Sequence, residues 1–496
     1  MVAKRIMLKD YLTTLNNEHE KNNNLPEVID LFSGCGGLSF GFKTAGYKIA
    51  QGIEMSQSAA NTASYNLHWR DGIDKQHICG DITTLDSSIL KSEIGEKGCI
   101  VVGGPPCQAY SQIGRAKLRS LGENRKHTND SRGFLFQEFL RFALELDAKG
   151  IVMENVPEAV NYGGINIPQH VCEILEEKGY EACWTILNAA DYGVPQKRER
   201  VFVMAVKKSA GHSIKLPEPT HFGRESEITQ GQLRIKKLRK NKNFRMPNLS
   251  HAGLPAWVTS GEALSDLPEL FPDASGIYHL YKPYISFEYN GAVQNDYQQR
   301  MRNWFGREEI MISGHGFRNT ARDFPIFGRM NPGDDYLAAS KIAEEILDEK
   351  CRFYSVVEKE NPEMYSQLKK KTVPPYSKEK FHTKWRKLSY NKPSHTLVAH
   401  LSTDTYSHLH PWEPRGISVR EAARLQSFPD GFLFQCSMGD AFRQIGNAVP
   451  PLLAFAVAKA MKENLTGIKE EGNKSGYADR DQTPYRGNKA ELCSSG

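Results

Sequence analysis

The sequence predicts an α/β protein built on a doubly wound, mixed but mostly parallel sheet, into which a smaller second domain is inserted. Three observations predict it. Residues 25 to about 206 alternate short apolar runs with stretches of helical period, the rhythm that lays parallel strands side by side with helices over both faces. From about 216 to 400 that rhythm is lost, while aromatics, Gly/Pro turns and basic runs become frequent. Beyond 400 helical signals return, as if the chain came back to finish the first domain.

Taken in order, residues 1–24 are polar and end in Asn22-Asn23-Asn24, a composition too poor in large apolar groups to order itself. Residues 25–215 form the first part of the main domain. Its strands are Val28-Ile29-Asp30-Leu31-Phe32, Ile49 to Ile53, a strand before Asp81, Cys99 to Val102, Ile151 to Met153 and Val201 to Val206; helices are expected over Phe134 to Leu146 and Gln169 to Lys178. Residues 216–400 are the inserted domain. In the returning part, 401–464, Ser418 to Leu425 reads as a short helix, and a second begins at Pro450-Pro451, where proline suits a helix's first turn. The tail, 465–496, is rich in Gly, Lys, Glu, Ser and Asn and is expected to be disordered.

Composition narrows the class. At 496 residues, 39% hydrophobic and 25% charged, the chain can bury a sizeable core, and no 18-residue apolar run or signal-peptide pattern occurs, so a cytoplasmic protein without membrane contact is expected. Nine cysteines, an odd number without a CxxC pair, imply reduced thiols and no zinc or other metal site. The net charge of +6 says little globally, but Arg234 to Lys242, Lys369-Lys370-Lys371 and Lys384-Trp385-Arg386-Lys387 concentrate it in runs that suit phosphate as well as they suit a solvated surface.

The chemistry centres on Cys107. It ends Gly103-Gly104-Pro105-Pro106-Cys107, directly after an apolar strand, and two successive prolines stiffen the loop that carries the thiol. Glu154, in Met153-Glu154-Asn155-Val156, closes another strand on the same expected sheet edge; partial desolvation there would raise its pKa and make it a usable acid near neutral pH. In Gln196-Lys197-Arg198-Glu199-Arg200, a period of two puts Gln196, Arg198 and Arg200 on one face, a row of donors for a base, a phosphate or Glu154. The first strand enters Phe32-Ser33-Gly34-Cys35-Gly36-Gly37-Leu38, where glycines let backbone approach a ligand; Ser39 replaces the third glycine of the dinucleotide fingerprint. Glu54 at the next strand's end is placed for ribose hydroxyls, and Asp81 for an adenine amino group.

These blocks, with Arg420 to Asp430 and Gln444 to Pro451, resemble in content and order those of the DNA (cytosine-5) methyltransferases, over roughly 26–206 and 386–462. The resemblance implies a methyltransferase fold with a seven-stranded sheet, S-adenosylmethionine as cofactor, and a cleft for double-stranded DNA beside a target-recognition domain at 216–400. It places Phe32, Ser33, Gly34, Cys35, Gly36, Gly37, Leu38, Glu54, Met55, Asp81, Ile82, Pro106, Asn447, Ala448 and Val449 at the cofactor. Cys107 would be the nucleophile, Glu154 the acid, Arg200 a contact to cytosine O2 with Arg198 as its support, and Gln196 is counted with these catalytic residues. Thr396 would hold the target nucleotide's backbone. Arg318 and Arg322 stand as candidates for reading bases. The layout resembles a restriction-modification enzyme, a monomer with an endonuclease as functional partner. A methyltransferase of RNA and an inactive DNA binder are the alternatives within the family, and a nucleotide-dependent oxidoreductase, disfavoured by Ser39, the alternative outside it.

Overall fold

A computed structural model describes residues 25–106, 135–210, 213–223, 235–248, 253–270, 281–304, 307–318, 320–377, 384–402 and 407–467. Cys107 lies outside the described residues, as do residues 1–24 and 468–496, whereas Leu465 and Thr466, expected in the disordered tail, continue the helix that begins at Pro451.

Seven strands make one sheet: β1 (Glu27–Leu31), β2 (Ile49–Glu54), β3 (Ile78–Cys79), β4 (Cys99–Gly103), β5 (Gly150–Asn155), β6 (Tyr180–Asn188) and β7 (Glu199–Lys207), in the order β3-β2-β1-β4-β5-β7-β6. All neighbours are parallel except β7, which runs against both β5 and β6. The connection from β6 to β7 is too short for a crossover, so β7 folds back beside its predecessor. The order reverses between β1 and β4, which opens a crevice at their carboxyl ends. Strand β6 is absent from the runs singled out above: Glu181 interrupts its apolar pattern, although every residue from Ala182 to Leu187 is buried.

Helices α1 (Gly37–Thr44), α2 (Gln57–Leu67), α3 (Leu135–Glu145) and α4 (Ile167–Glu177) flank the sheet. One sheet face packs on α3 and α4 through Phe139, Phe142, Val171 and Leu175. The other packs on α1, on two helices from the middle of the chain, α5 (Ser260–Leu264) and α6 (Asp296–Arg302), and on α10 (Val419–Leu425), α11 (Met438–Asn447) and α12 (Pro451–Thr466) from the returning part. The inserted segment adds α7 (Phe324–Arg329), α8 (Tyr336–Phe353) and α9 (Pro362–Thr372) and a core of its own, where Phe327, Tyr336 and Tyr376 set their rings edge-on around the fully buried Trp385.

Three segments sit differently from the expected division at 216 and 400, the first being the stretch of α5 and α6, whose Leu264 and Met301 join the large core. Ile235 and Phe244 join the sheet's core, because Phe244 packs on Trp184 of β6 with ring centroids 4.7 Å apart. Leu409 completes the small core, carried there by main-chain pairing of Leu388 and Arg386 with Leu409. Among the described residues, no helix is long and apolar enough to cross a membrane.

Candidate active site

The carboxyl ends of β1, β2, β4 and β5 lie side by side, and the residues after each build one crevice. After β1 the chain turns through left-handed conformations at Phe32 (φ 60°), Gly34 (φ 55°) and Gly36 (φ 87°). A non-glycine residue there is strained, so Phe32 is held in place by the structure around it. The glycines answer to different constraints. A Cβ on Gly34 would meet nothing within 4 Å, so that residue faces open space, whereas one on Gly37 would lie 2.6 Å from Val449 O. Gly37 thus brings the last block of the chain against the first. Cys35 and Leu38 turn their side chains into the core, and burial pushes the Cys35 thiol far up.

Glu54 fastens this loop: its Oε2 accepts from Gly34 N and its Oε1 from Ser56 N, both at 2.8 Å. Met55 is exposed. Asp81 is exposed too and accepts from Thr83 N (3.0 Å) and Thr83 Oγ1 (2.8 Å), while Ile82 beside it is buried in the core. Asn447 is exposed at the end of α11, and Ala448 O accepts from Gln426 Nε2 at 2.7 Å.

Behind the loop lies a pair that the motif reading passes over. Asp30 on β1 is buried, with Oδ2 accepting from Ser39 Oγ at 2.6 Å and Oδ1 without a hydrogen-bond partner among the described residues. Burial raises its pKa to about 7, opposed by the Ser39 hydrogen bonds. Ser39 is therefore more than a missing third glycine; it supplies the donor that this carboxyl needs.

The other half of the crevice forms where β5 ends. Glu154 is buried, and Arg200 Nε meets its Oε1 at 2.9 Å. Desolvation raises the Glu154 pKa, with Arg200 and then Arg198 pulling against it. Its other oxygen, Oε2, would be only 2.8 Å from a Cβ on Gly104, so glycine is what lets the carboxyl lie over the loop leading to Cys107. Asn155 Nδ2 donates to Pro105 O at 3.4 Å and ties that loop to β5. Pro106, half-buried, is the last described residue before the thiol. Gly104 and Asn155 are site residues the sequence reading missed. Their only signal is adjacency to Pro105 and Glu154.

The expected row of three donors does not form. Arg200 pairs with Glu154, while Gln196 and Arg198 donate to main-chain and amide oxygens elsewhere. Gln196 is fully buried, donates to Leu425 O (3.1 Å) and Gln426 Oε1 (2.5 Å), and accepts from Leu397 N (2.9 Å). Arg198 donates to Leu397 O (2.9 Å), Gly446 O (2.9 Å) and Ala448 O (3.1 Å). The strand's period of two is real, but loops from the returning chain cover it above Arg200 and take these donors. Thr396 donates to Lys197 O at 2.7 Å, one residue from the same network. Arg318 is exposed on the inserted segment, whereas Arg322 forks onto Asp323 with contacts of 2.5 and 3.1 Å.

The sequence profile of the family described as C-5 cytosine-specific DNA methylase matches residues 27–463. An Oceanobacillus iheyensis protein designated a type II methyltransferase, M.OihORF3336P, is 56% identical over 447 residues, covering 89% of this chain and 96% of that protein. The type II methyltransferase M.DdeI of Desulfomicrobium norvegicum is 31% identical over 89% of this chain and 91% of its own. A crystal structure of a prophage-encoded E. coli protein described as a DNA modification methyltransferase superimposes with a TM-score of 0.58, at 23% identity, over 88% of this chain and 99% of that one. That last likeness concerns the fold.

Proposed function

This chain belongs to the C-5 cytosine-specific DNA methylase family, and from that premise we propose that it methylates a cytosine flipped out of duplex DNA, with Cys107 as nucleophile and Glu154 as acid. It is a DNA cytosine-5 methyltransferase with type II relatives, and its setting is a restriction-modification system in which an endonuclease is the functional counterpart. The observation that carries the reading is Glu154: a buried carboxyl with a raised pKa, fixed by Arg200 and set directly over the loop that leads to Cys107.

S-adenosylmethionine, when bound, supplies a methyl group on a positively charged sulfur. The residues present fit it. Gly34 faces open space beside the carboxyl ends of β1 and β2, Glu54 and the exposed Asp81 offer carboxylate acceptors for hydroxyl and amino groups, and Asn447 to Val449 close the other side against Gly37.

Carbon 5 of cytosine is a weak nucleophile, and the protein's part is to push electron density onto it. The Cys107 thiolate forms a bond to C6 while Glu154 delivers a proton, or a strong hydrogen bond, to N3; the ring's electrons then collect at C5. Arg200, ion-paired to Glu154, holds that carboxyl in place and is left to approach O2 of the same ring. After C5 is methylated, its proton leaves to a base and the C6–S bond breaks, returning Cys107. The reacting atoms are inaccessible in a stacked duplex, so the base must leave the helix, at a cost of a few kcal/mol.

Bisulfite sequencing of mixed-sequence duplex DNA after incubation with the protein and S-adenosylmethionine tests this directly. Cytosines protected in one short context, and left unprotected by Cys107→Ala, are the expected result. Equal protection by the Cys107→Ala protein would rule out the covalent route.

A further inference from the structure

The stretch from Ile235 to Asn248 holds six basic residues and no acidic one. Its apolar residues decide which way the cations point. Ile235 is buried and Leu238 packs partly buried against the sheet core, three residues apart, so that Lys236, Lys237, Arg239 and Lys240 all face solvent. Trp184 N donates to Asn243 O and Arg245 N to Trp184 O, each at 2.9 Å, which fastens the segment to the outer edge of β6. Two cations have acidic partners: Lys242 pairs with Glu176 at 2.7 Å and Arg245 with Glu181 at 2.9 Å. No described acidic side chain pairs with the other four; Arg239 Nε donates to Met246 Sδ at 2.9 Å.

The position of this edge matters as much as its charge. Helix α4 crosses between the parallel strands β5 and β6, so it runs against them and begins at their carboxyl ends. Asn166, which caps the start of α4, hydrogen-bonds Asn241 at 3.2 Å, directly after the cationic turn Leu238–Lys240. The turn therefore ends on the rim of the sheet that carries Glu154. Only β7 separates β5 from β6, a lateral distance of about 10 Å at ordinary strand spacing. A duplex with its target base at Glu154 passes within reach.

We propose that Lys236, Lys237, Arg239 and Lys240 form a docking rail for the phosphates of DNA flanking the methylated site. This rests on the reading of the protein as an enzyme of duplex DNA. Flexible lysines opposite a polyanion supply affinity and speed of encounter without reading sequence. The rail thus acts on how the site is found and held, separately from which site is chosen.

The test compares a duplex of about 14 base pairs with one of about 40, both centred on the site that bisulfite mapping identifies, across a salt series. The wild-type protein is expected to bind the longer duplex at least about tenfold more tightly, with the salt slope steeper by as much as about 0.9 per phosphate contacted. Replacing the four residues together by Gln should leave only the small statistical gain of a longer lattice, with turnover on the short duplex as the reference. A Lys236→Glu, Lys240→Glu double variant, checked for an unchanged Tm, should weaken long-duplex binding further. The rail is refuted if the Gln variant keeps the full length gain, or if the wild type shows none. Absence of methylation on any DNA by the wild type would instead overturn the underlying functional reading.

Discussion

Glu154 does its work because two opposite influences on it are both strong. Burial favours the neutral acid, and Arg200 at 2.9 Å favours the anion while fixing the carboxyl's orientation; burial prevails, and the pKa lies above the usual carboxyl range. The acid form carries the proposed chemistry, so its contribution falls as pH rises through that raised value. Glu154→Gln keeps a hydrogen-bond donor but has no titrating proton. It is expected to lower the single-turnover rate by roughly 10²–10⁴ while leaving DNA affinity nearly unchanged, and to flatten this limb of the pH profile. Asp30 gives a second pH signature, visible in stability. Its folded pKa of about 7 lies above the ordinary carboxyl value of 3.8, so the native state holds a proton that the unfolded chain has already released. Its contribution is fully present below about pH 4 and is lost as pH rises through about 7. Asp30→Asn removes that loss, and a rise of up to about 4 kcal/mol in unfolding free energy at pH 8, with little change at pH 4, is expected in denaturant titrations.

At the scale of elements, the blocks that sequence alone marks as important divide into those that touch the crevice and those that hold it together. Arg424, on α10, is fully buried and forks between Asp266 of the inserted segment (2.9 and 3.1 Å) and Asp430 (2.6 Å to each oxygen). Nothing about Arg424 approaches the crevice; it fastens the inserted segment to the main domain. Removing the cation leaves the buried Asp430, among the described residues, with only the Tyr289 hydroxyl as side-chain partner and Asp266 with Arg302 alone, so Arg424→Ala should cost about 3–5 kcal/mol in thermal or denaturant unfolding, and Lys, without the planar fork, should recover little. Gln196 and Arg198 belong with it. Their alternation along an extended segment was legible, because period two is local. Their direction was not, because it is set by Leu397, Leu425 and Ala448, which are some 200 to 250 positions later. His410, Glu413 and Glu421 also cluster within reach of one another, but Arg415 lies between the two glutamates at 2.9 and 2.7 Å and fills the place a metal ion would need.

For the whole molecule, the sheet was legible wherever a strand was a continuous apolar run, as in β1, β4 and β7, or was flagged by the residue that follows it, as β3 was by Asp81, and illegible where pairing with neighbours makes the strand, as in the charge-broken β6. The motifs name candidate residues for the crevice, whereas the partners that aim each described residue are not legible in them. Gly104 under Glu154 and Ser39 beside Asp30 are close in space for reasons that only the folded chain contains. The closure of α1 by α12 has a further consequence. Tyr47 at the end of α1's turn hydrogen-bonds Ala458 O, 411 positions onward, and Gly41 is pressed against Ala454 so closely that it has no room for a Cβ. The loop after β1 therefore gains its supporting wall only when α12 has been synthesised. Until α12 has emerged from the ribosome, the nascent protein lacks a finished crevice, and methylation waits on a closure that comes late in synthesis.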